Sequence, residues 1–252
     1  MEPAHPANAR ALDVRIATYN IHRCQGLDRR TRPERIAEIL QEIDADIVAL
    51  QEVLGPGPRG ECQAQAIGAL LGMGWVMAPT RRRRGHLLGN VVLSRFPIRR
   101  HVSIDLTCAA FSLRNCQRAD LAVGNDDAPH ATFHVYNVHL GTGILERRIQ
   151  ARSLDSFIND HRVMGPKVVL GDLNEWTKGD ITTMLSRTFQ SIELPPHAAK
   201  RGSYPGILPL VQLDHIYYGG RVEVRDVRLP RTRKALVASD HLPLVADLRV
   251  HA

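Results

Sequence analysis

Residues 14–22, VRIATYNIH, and residues 132–140, TFHVYNVHL, together decide the fold. Both runs are rich in β-branched and aromatic residues, as extended segments are. Each carries the same polar pattern near its end, Tyr19-Asn20-Ile21-His22 and Tyr136-Asn137-Val138-His139. Along a strand, residues i and i+2 share a face. Asn20 therefore points with His22, and Asn137 with His139. Such a repeat is either coincidence or the mark of two similar halves whose strand ends face one shared cleft.

Outward from these runs, strands alternate with a few helices. Residues 33–43 (PERIAEILQEI) predict a helix, with Pro33 in a favoured first-turn position and Ile36, Ile39, Leu40 and Ile43 on one face. Residues 47–53 (IVALQEV) read as a buried strand, and 61–71 as a helix ended by glycines. Residues 90–94, 118–123 and 132–140 make the middle strand-rich. A helix over 145–159 leads to a central strand at 167–170 (KVVL), which runs into Gly171-Asp172. Strands at 213–218, 222–229 and 242–250 complete the pattern. No linker-like shift in composition breaks the 252 residues. The expectation is one domain over residues 1–252, with 1–12 a flexible segment, built from two sheets packed face to face with helices outside.

A hydrophobic fraction of 44% and a charged fraction of 23% match soluble globular chains and exclude bulk disorder. The opening MEPAHPANARALDVR has no apolar core of a secretory signal. The longest stretch free of formal charge, 62–80, contains Gln63, Gln65, Gly68, Gly72, Gly74 and Pro79, poor material for spanning hydrocarbon. No transmembrane segment is expected. Cys24, Cys62, Cys108 and Cys116 form no CxxC pair and no zinc spacing, so free thiols and a cytoplasmic location are expected. The 33 Lys and Arg exceed the 26 Asp and Glu by seven, and Arg81, Arg82, Arg83 and Arg84 supply four of those positives. Such a run is either a solvated loop or a phosphate-binding loop, whose guanidinium forks match phosphate oxygens.

The chemistry lies where apolar runs end. Ile47-Val-Ala-Leu50 runs into Gln51-Glu52, and Lys167-Val-Val-Leu170 into Gly171-Asp172-Leu173-Asn174. Leu213 precedes Asp214-His215, and Ala238 precedes Ser239-Asp240-His241. One such end is ordinary turn chemistry. Four argue for a site, because carboxylates, amides and histidines at buried strand ends are expensive unless they pair or bind a cation. Oxygen donors and histidines without thiolates suit divalent-metal hydrolysis of phosphate esters: Mg²⁺ or Mn²⁺ takes oxygen ligands, and a histidine moves a proton or donates to phosphate.

Six blocks, ATYNIH (17–22), LQEV (50–53), YNVHL (136–140), LGDLN (170–174), LDHI (213–216) and SDHLP (239–243), occur in the order found in the endonuclease/exonuclease/phosphatase superfamily. The chain resembles that group, which includes deoxyribonuclease I, exonuclease III, inositol-polyphosphate 5-phosphatases and bacterial sphingomyelinases. The resemblance implies an α+β, four-layer αββα sandwich of two mostly antiparallel sheets, with the site at one edge of the paired sheets. It implies Glu52 as the main metal ligand with Asn20 beside it, and Asp240 as a direct or water-mediated ligand. Asp172 would orient or deprotonate the attacking water, and Asn174 would hold the water or a phosphate oxygen. His241, oriented by Asp214, would contact the phosphoryl group. His139 matches the second histidine of the deoxyribonuclease I-like branch, and Arg118 matches an arginine or tyrosine facing the phosphate.

The implied reaction is in-line displacement at phosphorus by water. Its substrate is a phosphate ester, in a polynucleotide or in a phospholipid or inositol-phosphate headgroup; oligomeric state has no signature in the sequence. The rival is a non-catalytic binding module on the same fold, against which stands the presence of Glu52, Asp172, Asn174, Asp214, Asp240 and His241. His22 either binds phosphate or stabilises the loop after it. His215 alternates with Asp214 and is expected on the opposite face. Trp176 either lines the site rim, for stacking or an apolar pocket, or packs under its loop. Tyr204-Pro205 shapes the loop leading to Asp214, whereas His5, His130, His197 and His251 lack motif context.

Overall fold

The first expected strand forms three residues earlier than its pattern suggests. β1 spans Ala11–Asn20, so Ala11 and Leu12 belong to a sheet, where they pair with His251 and Val250. The computed structural model describes residues 11–108, 111–124, 131–195, 202–206, 208 and 210–251. The rest of the N-terminal segment, and His5, His130 and His197, lie outside the described residues.

In chain order, α1 (Pro33–Ile43), β2 (Ile47–Leu54), α2 (Gln63–Leu71), β3 (Gly74–Arg83) and β4 (His86–Ser94) follow β1. Next come β5 (Ile98–Asp105), β6 (Asn115–Val123), β7 (Ala131–His139), α3 (Ile144–Ile158) and β8 (Lys167–Asp172). Then α4 (Asp180–Leu185), β9 (Gln190–Ser191), β10 (Asp214–Gly219), β11 (Val222–Arg228), α5 (Arg233–Ala238) and β12 (Leu244–His251) follow among the described residues.

The strands make two six-stranded sheets, ordered β11-β12-β1-β2-β4-β3 and β5-β6-β7-β8-β10-β9. Every neighbouring pair is antiparallel except β1–β2 and β7–β8, the central pair of each sheet. β1 and β7 thus hold equivalent places, so the Y-N-[IV]-H echo is an echo of topology. Alternation sorts the side chains into three apolar layers. Ile16, Ala49, Val135 and Leu170 meet between the sheets. Tyr19, Leu50 and Val91 face α1, α2 and α5, while Tyr136, Val169 and Tyr217 face α3 and α4. The expected αββα sandwich is what forms.

Four elements escaped the sequence reading, one of them β9, which at two residues is too short to show an alternation. β5 (IRRHVSID) is an edge strand whose charges sit in water, so its apolar alternation is weak. α4 and α5 are six-residue helices, too short for a periodic signal; α5 is started by Thr232, whose Oγ1 accepts from the Ala235 N–H (3.1 Å). The arginine run is no loop: Arg81, Arg82 and Arg83 pair with Leu88, Leu87 and His86 in the β3–β4 hairpin, and Arg84 and Gly85 make its turn. No helix among the described residues is long and apolar enough to cross a membrane, and all four cysteines are free.

Candidate active site

The strand directions gather the polar ends. β1, β2, β7 and β8 end with Asn20, Glu52, His139 and Asp172 at or near their last residues. β10 and β12 run antiparallel to β8 and β1, so Asp214, Asp240 and His241 at their beginnings lie at the same end.

Asp172 is the hub. It is buried, and it pairs in register with His139 on one side and Asp214 on the other. Its Oδ2 accepts from Asn20 Nδ2 (3.0 Å), joining the two sheets, and its Oδ1 accepts from the Asn174 N–H (3.0 Å). His139 Nε2 and His241 Nε2 stand 3.6 and 3.7 Å from Oδ2. Asn174 arrives by a turn, at φ 51°, and not by continued extension; its Nδ2 donates to the Leu140 carbonyl (2.9 Å), which leaves its Oδ1 available. Gly171 is required here. At φ 142° a Cβ would come 1.9 Å from the Val138 carbonyl oxygen, so the close approach of β7 to β8 needs glycine.

His241 is held by Asp214, whose Oδ2 lies 2.8 Å from His241 Nδ1 and also accepts from Ser203 Oγ (2.7 Å). The Tyr204 ring packs on the imidazole with centroids 5.0 Å apart. His215 turns to the other face, as alternation requires, with Nε2 3.1 Å from the Gln212 carbonyl oxygen.

Glu52 owes its position to a bulge. The β2–β4 register shifts between Leu50 and Val53, and Glu52 takes φ 55°. Gln51 then points between the sheets while Glu52 points to the mouth, where its carboxylate meets the Arg23 guanidinium. Arg23 stands on a turn (His22–Cys24) of three successive left-handed residues, so β1 stops at Asn20 and His22 leaves the strand. His22 Nδ1 reaches Asp240 Oδ1 (3.1 Å), and Ser239 Oγ donates to the Asn20 carbonyl (2.7 Å).

Two expected positions are filled differently. Arg118 is not at the cluster. It pairs with Tyr136, three residues back from the Asn115–His139 pair, and faces the helix layer, where its guanidinium meets Asp120 and lies over the Phe157 ring. Asn137, the echo of Asn20, does not reach the mouth either. Its Nδ2 donates to the Leu50 and Val91 carbonyls (3.0 and 2.9 Å) and its Oδ1 accepts from Gln51 Nε2 (2.8 Å), so it stitches the sheets together.

The cation that does face the cluster is Arg114, just before β6. Together with Glu52, Arg81, Asn115 and His139 it lines a small cleft. Its Nε donates to the Leu140 carbonyl (2.9 Å), and burial lowers its pKa against the pull of Glu52. Period two explains Arg118: Ala119, Leu121 and Val123 face the other sheet, so Arg118 faces away from it. Arg114 has the same parity but precedes the first residue of β6, so the pleat does not fix its direction. Ser203 and Arg23 had no local signal, since both act through contacts remote in sequence.

The electrostatics divide the roles. Burial opposes a charge on His241, yet Asp214 and Asp172 lift its pKa to about 10, so it is a cation at neutral pH. Burial, with Arg114 and His241 close by, holds His139 well below the ordinary value, so it is neutral. Burial and the nearby Asp214 charge push Asp172 up to about 6, against the attraction of His241. Burial raises Asp240, but the bond from His22 and the charge of His241 outweigh it and keep this carboxyl below its usual range. A base that ionises near neutrality beside a fixed cation is the pattern of a proton-transfer site.

Known proteins resemble this chain in sequence and fold. The "Uncharacterized protein YbhP" of Escherichia coli (strain K12) is 27% identical over 261 residues, covering 97% of this chain and 100% of that protein. The endonuclease/exonuclease/phosphatase of Bacteroides vulgatus superposes with a TM-score of 0.76 at 20% identity, covering 95% of this chain and 100% of that one. The Beutenbergia cavernae protein of the same description gives 0.71 at 23% identity, over 95% of this chain and 72% of that one. The model of the endonuclease/exonuclease/phosphatase family matches residues 17–241. With the six sequence blocks, the two-sheet sandwich and the family model in agreement, the chain belongs to the endonuclease/exonuclease/phosphatase family, whose members hydrolyse phosphate esters.

Proposed function

We propose that this chain, as one catalytic domain, is a divalent-metal-dependent phosphodiesterase that cleaves a P–O bond by in-line attack of water. One observation carries the reading: the buried Asp172 carboxylate is braced by Asn20 and Asn174 and flanked by His139 and an Asp214-bound, cationic His241.

The donor set fits Mg²⁺ or Mn²⁺. Glu52, Asn20 and Asp240 offer hard oxygen atoms at the mouth, and the Glu52 carboxylate already attracts a positive charge, the Arg23 guanidinium. Among the described residues no three His, Cys, Asp or Glu side chains form a cage. A cation taking one or two carboxylates, several waters and the substrate phosphate needs no such cage. When bound, the ion supplies Lewis acidity to the phosphoryl oxygens.

The chain's own residues supply the rest. Asp172 accepts the proton of the attacking water, which Asn174 Oδ1 holds in line. His241 donates to the phosphoryl group or the leaving oxygen, kept protonated and oriented by Asp214. His139, neutral, donates a hydrogen bond to a phosphoryl oxygen, and Arg114 adds a fixed positive charge as negative charge spreads in the transition state.

The test is hydrolysis of bis(4-nitrophenyl) phosphate, an oligonucleotide, an inositol polyphosphate and a phospholipid with a diester headgroup, each with Mg²⁺ or Mn²⁺. Metal-dependent turnover that vanishes in Glu52→Ala is expected. Turnover that persists with chelator or in Glu52→Ala refutes the proposal, and no turnover of any diester returns the chain to a binding role.

A further inference from the structure

Single exposed leucines are ordinary on a soluble surface. Here, nine of the twelve large apolar side chains exposed among the described residues stand at the end of the sandwich that carries Asp172. They come from six separate connections. Leu27 follows β1, and the Leu27 N–H donates to the carbonyl of Val237 on α5. Phe111 and Leu113 precede β6, whose first residue pairs with His139. Ile144 and Leu145 open α3, 73% and 67% exposed, where a helix would ordinarily place polar residues. Trp176 follows β8, while Leu208 and Leu210 lie on the loop before β10.

Phe111, Ile144 and Trp176 run together toward Tyr204. Phe111 lies beside Gly143, next to Ile144. Ile144 and Trp176 line one open groove. The Trp176 ring meets Tyr204 edge-on at 6.5 Å, and Tyr204 covers His241. The apolar rim therefore leads to the site. The β3–β4 hairpin rises at the same end, and Arg81 lines the cleft beside Glu52. Arg82 donates to the Gly85 carbonyl (3.4 Å), and among the described residues none of Arg81, Arg82, Arg83 and Arg84 meets a carboxylate.

A concentration of exposed apolar side chains at one end, rimmed by charge, marks an interaction surface. Its chemistry selects the partner. A polynucleotide track stacks bases on aromatic rings, but most of this rim is leucine and isoleucine. Aliphatic side chains enter the boundary between lipid headgroups and acyl chains, and unpaired arginines are drawn to anionic headgroups. We propose that this end of the sandwich docks on an anionic phospholipid surface, so that the candidate active site meets phosphodiesters presented as lipid headgroups. The docking stands on the rim and the hairpin; the headgroup as substrate rests on the phosphoesterase reading.

The experiment is co-sedimentation with vesicles of phosphatidylcholine containing about 30 mol % phosphatidylglycerol, against phosphatidylcholine alone. Binding roughly tenfold tighter to the anionic vesicles is expected, weakening with salt. Tryptophan emission should shift to the blue on binding, and Trp176→Phe should abolish the shift, since Trp75 is the only other tryptophan. The Ile144→Ser/Leu145→Ser variant should bind vesicles about tenfold more weakly and keep wild-type melting and hydrolysis of bis(4-nitrophenyl) phosphate. The docking is overturned if no vesicle binds or if the double variant binds equally well. It is equally overturned if the rim is covered in a dimer that the variant dissociates, or if it holds an oligonucleotide more tightly than the anionic vesicles. Cleavage of the soluble diester without vesicle binding removes the docking and leaves the function; vesicle binding without cleavage of any diester does the reverse.

Discussion

With a chelator present at neutral pH, Asp172→Asn is expected to stabilise the protein while removing hydrolysis. Asp172 is buried, and burial with the Asp214 charge holds its carboxyl near 6, where an ordinary aspartate titrates at 3.8. The folded chain therefore binds this proton more tightly than the unfolded chain does. Below about pH 4 both states are protonated and Asp172 costs nothing. As pH rises through about 6, the unfolded chain has ionised in water, whereas the folded chain must hold the charge in a dry site, and stability falls by about 3 kcal/mol. Asparagine keeps the shape without the charge. It forfeits one of the two bonds from Asn20 Nδ2 and the Asn174 N–H, about 1 kcal/mol. The net gain is about 2 kcal/mol, or roughly 4–8 °C in Tm for a chain of this length. Thermal melts followed by circular dichroism between about pH 4 and pH 8 measure it. An equal or lower Tm for the variant at the upper pH, or a difference that does not shrink toward the lower one, refutes the electrostatic reasoning.

Glu52→Gln should abolish calorimetric binding of Mg²⁺ and Mn²⁺ and lower kcat at least about a hundredfold, with little change in Tm because Glu52 sits at the solvent-facing mouth; an unchanged binding isotherm would sink its assignment. The pH profile of kcat/KM should rise through about 6 as Asp172 ionises and fall toward about 10 as His241 loses its proton. Asp214→Asn removes the carboxylate that lifts His241, so the upper limb should move to lower pH, and an unmoved limb would show that His241 does not set it. Arg114→Ala should cost at least about tenfold in kcat/KM and leave folding intact. Arg118→Ala should instead spare the kinetics and cost about 2 kcal/mol in denaturant melts, because Asp120 loses one of its two buried partners and keeps His134; the opposite pattern would restore Arg118 to the site.

Residues whose strand position fixes their direction were legible in the sequence. Asn20, His139 and Asp172 lie at the ends of apolar runs, and burial forces such runs to keep one register. The αββα class was legible for the same reason, since strand-rich halves with one apolar helix face each leave few alternatives. Arg118 was misread because a motif match gives proximity along the chain, while the pleat decides the face. Asn137 repeats Asn20 in sequence and in topology. It is nonetheless a structural bond between sheets, because it sits two residues deeper, where backbone carbonyls and not solvent surround it.

The sequence by itself determined the composition of the site and the order of its parts: which carboxylates, amides and histidines end which strands, and that oxygen and imidazole chemistry, not thiolate chemistry, is available. The tertiary structure decided which of these parts meet. The Glu52 bulge, the left-handed turn at Asn174, the bond from Ser203 to Asp214 and the choice of Arg114 over Arg118 all depend on contacts between residues remote in the chain. So does the apolar rim, whose side chains are unremarkable one by one along the sequence. Local pattern is set by backbone sterics and burial, which act over a few residues. A site is set by packing one sheet on another, and only packing brings six distant connections to one end.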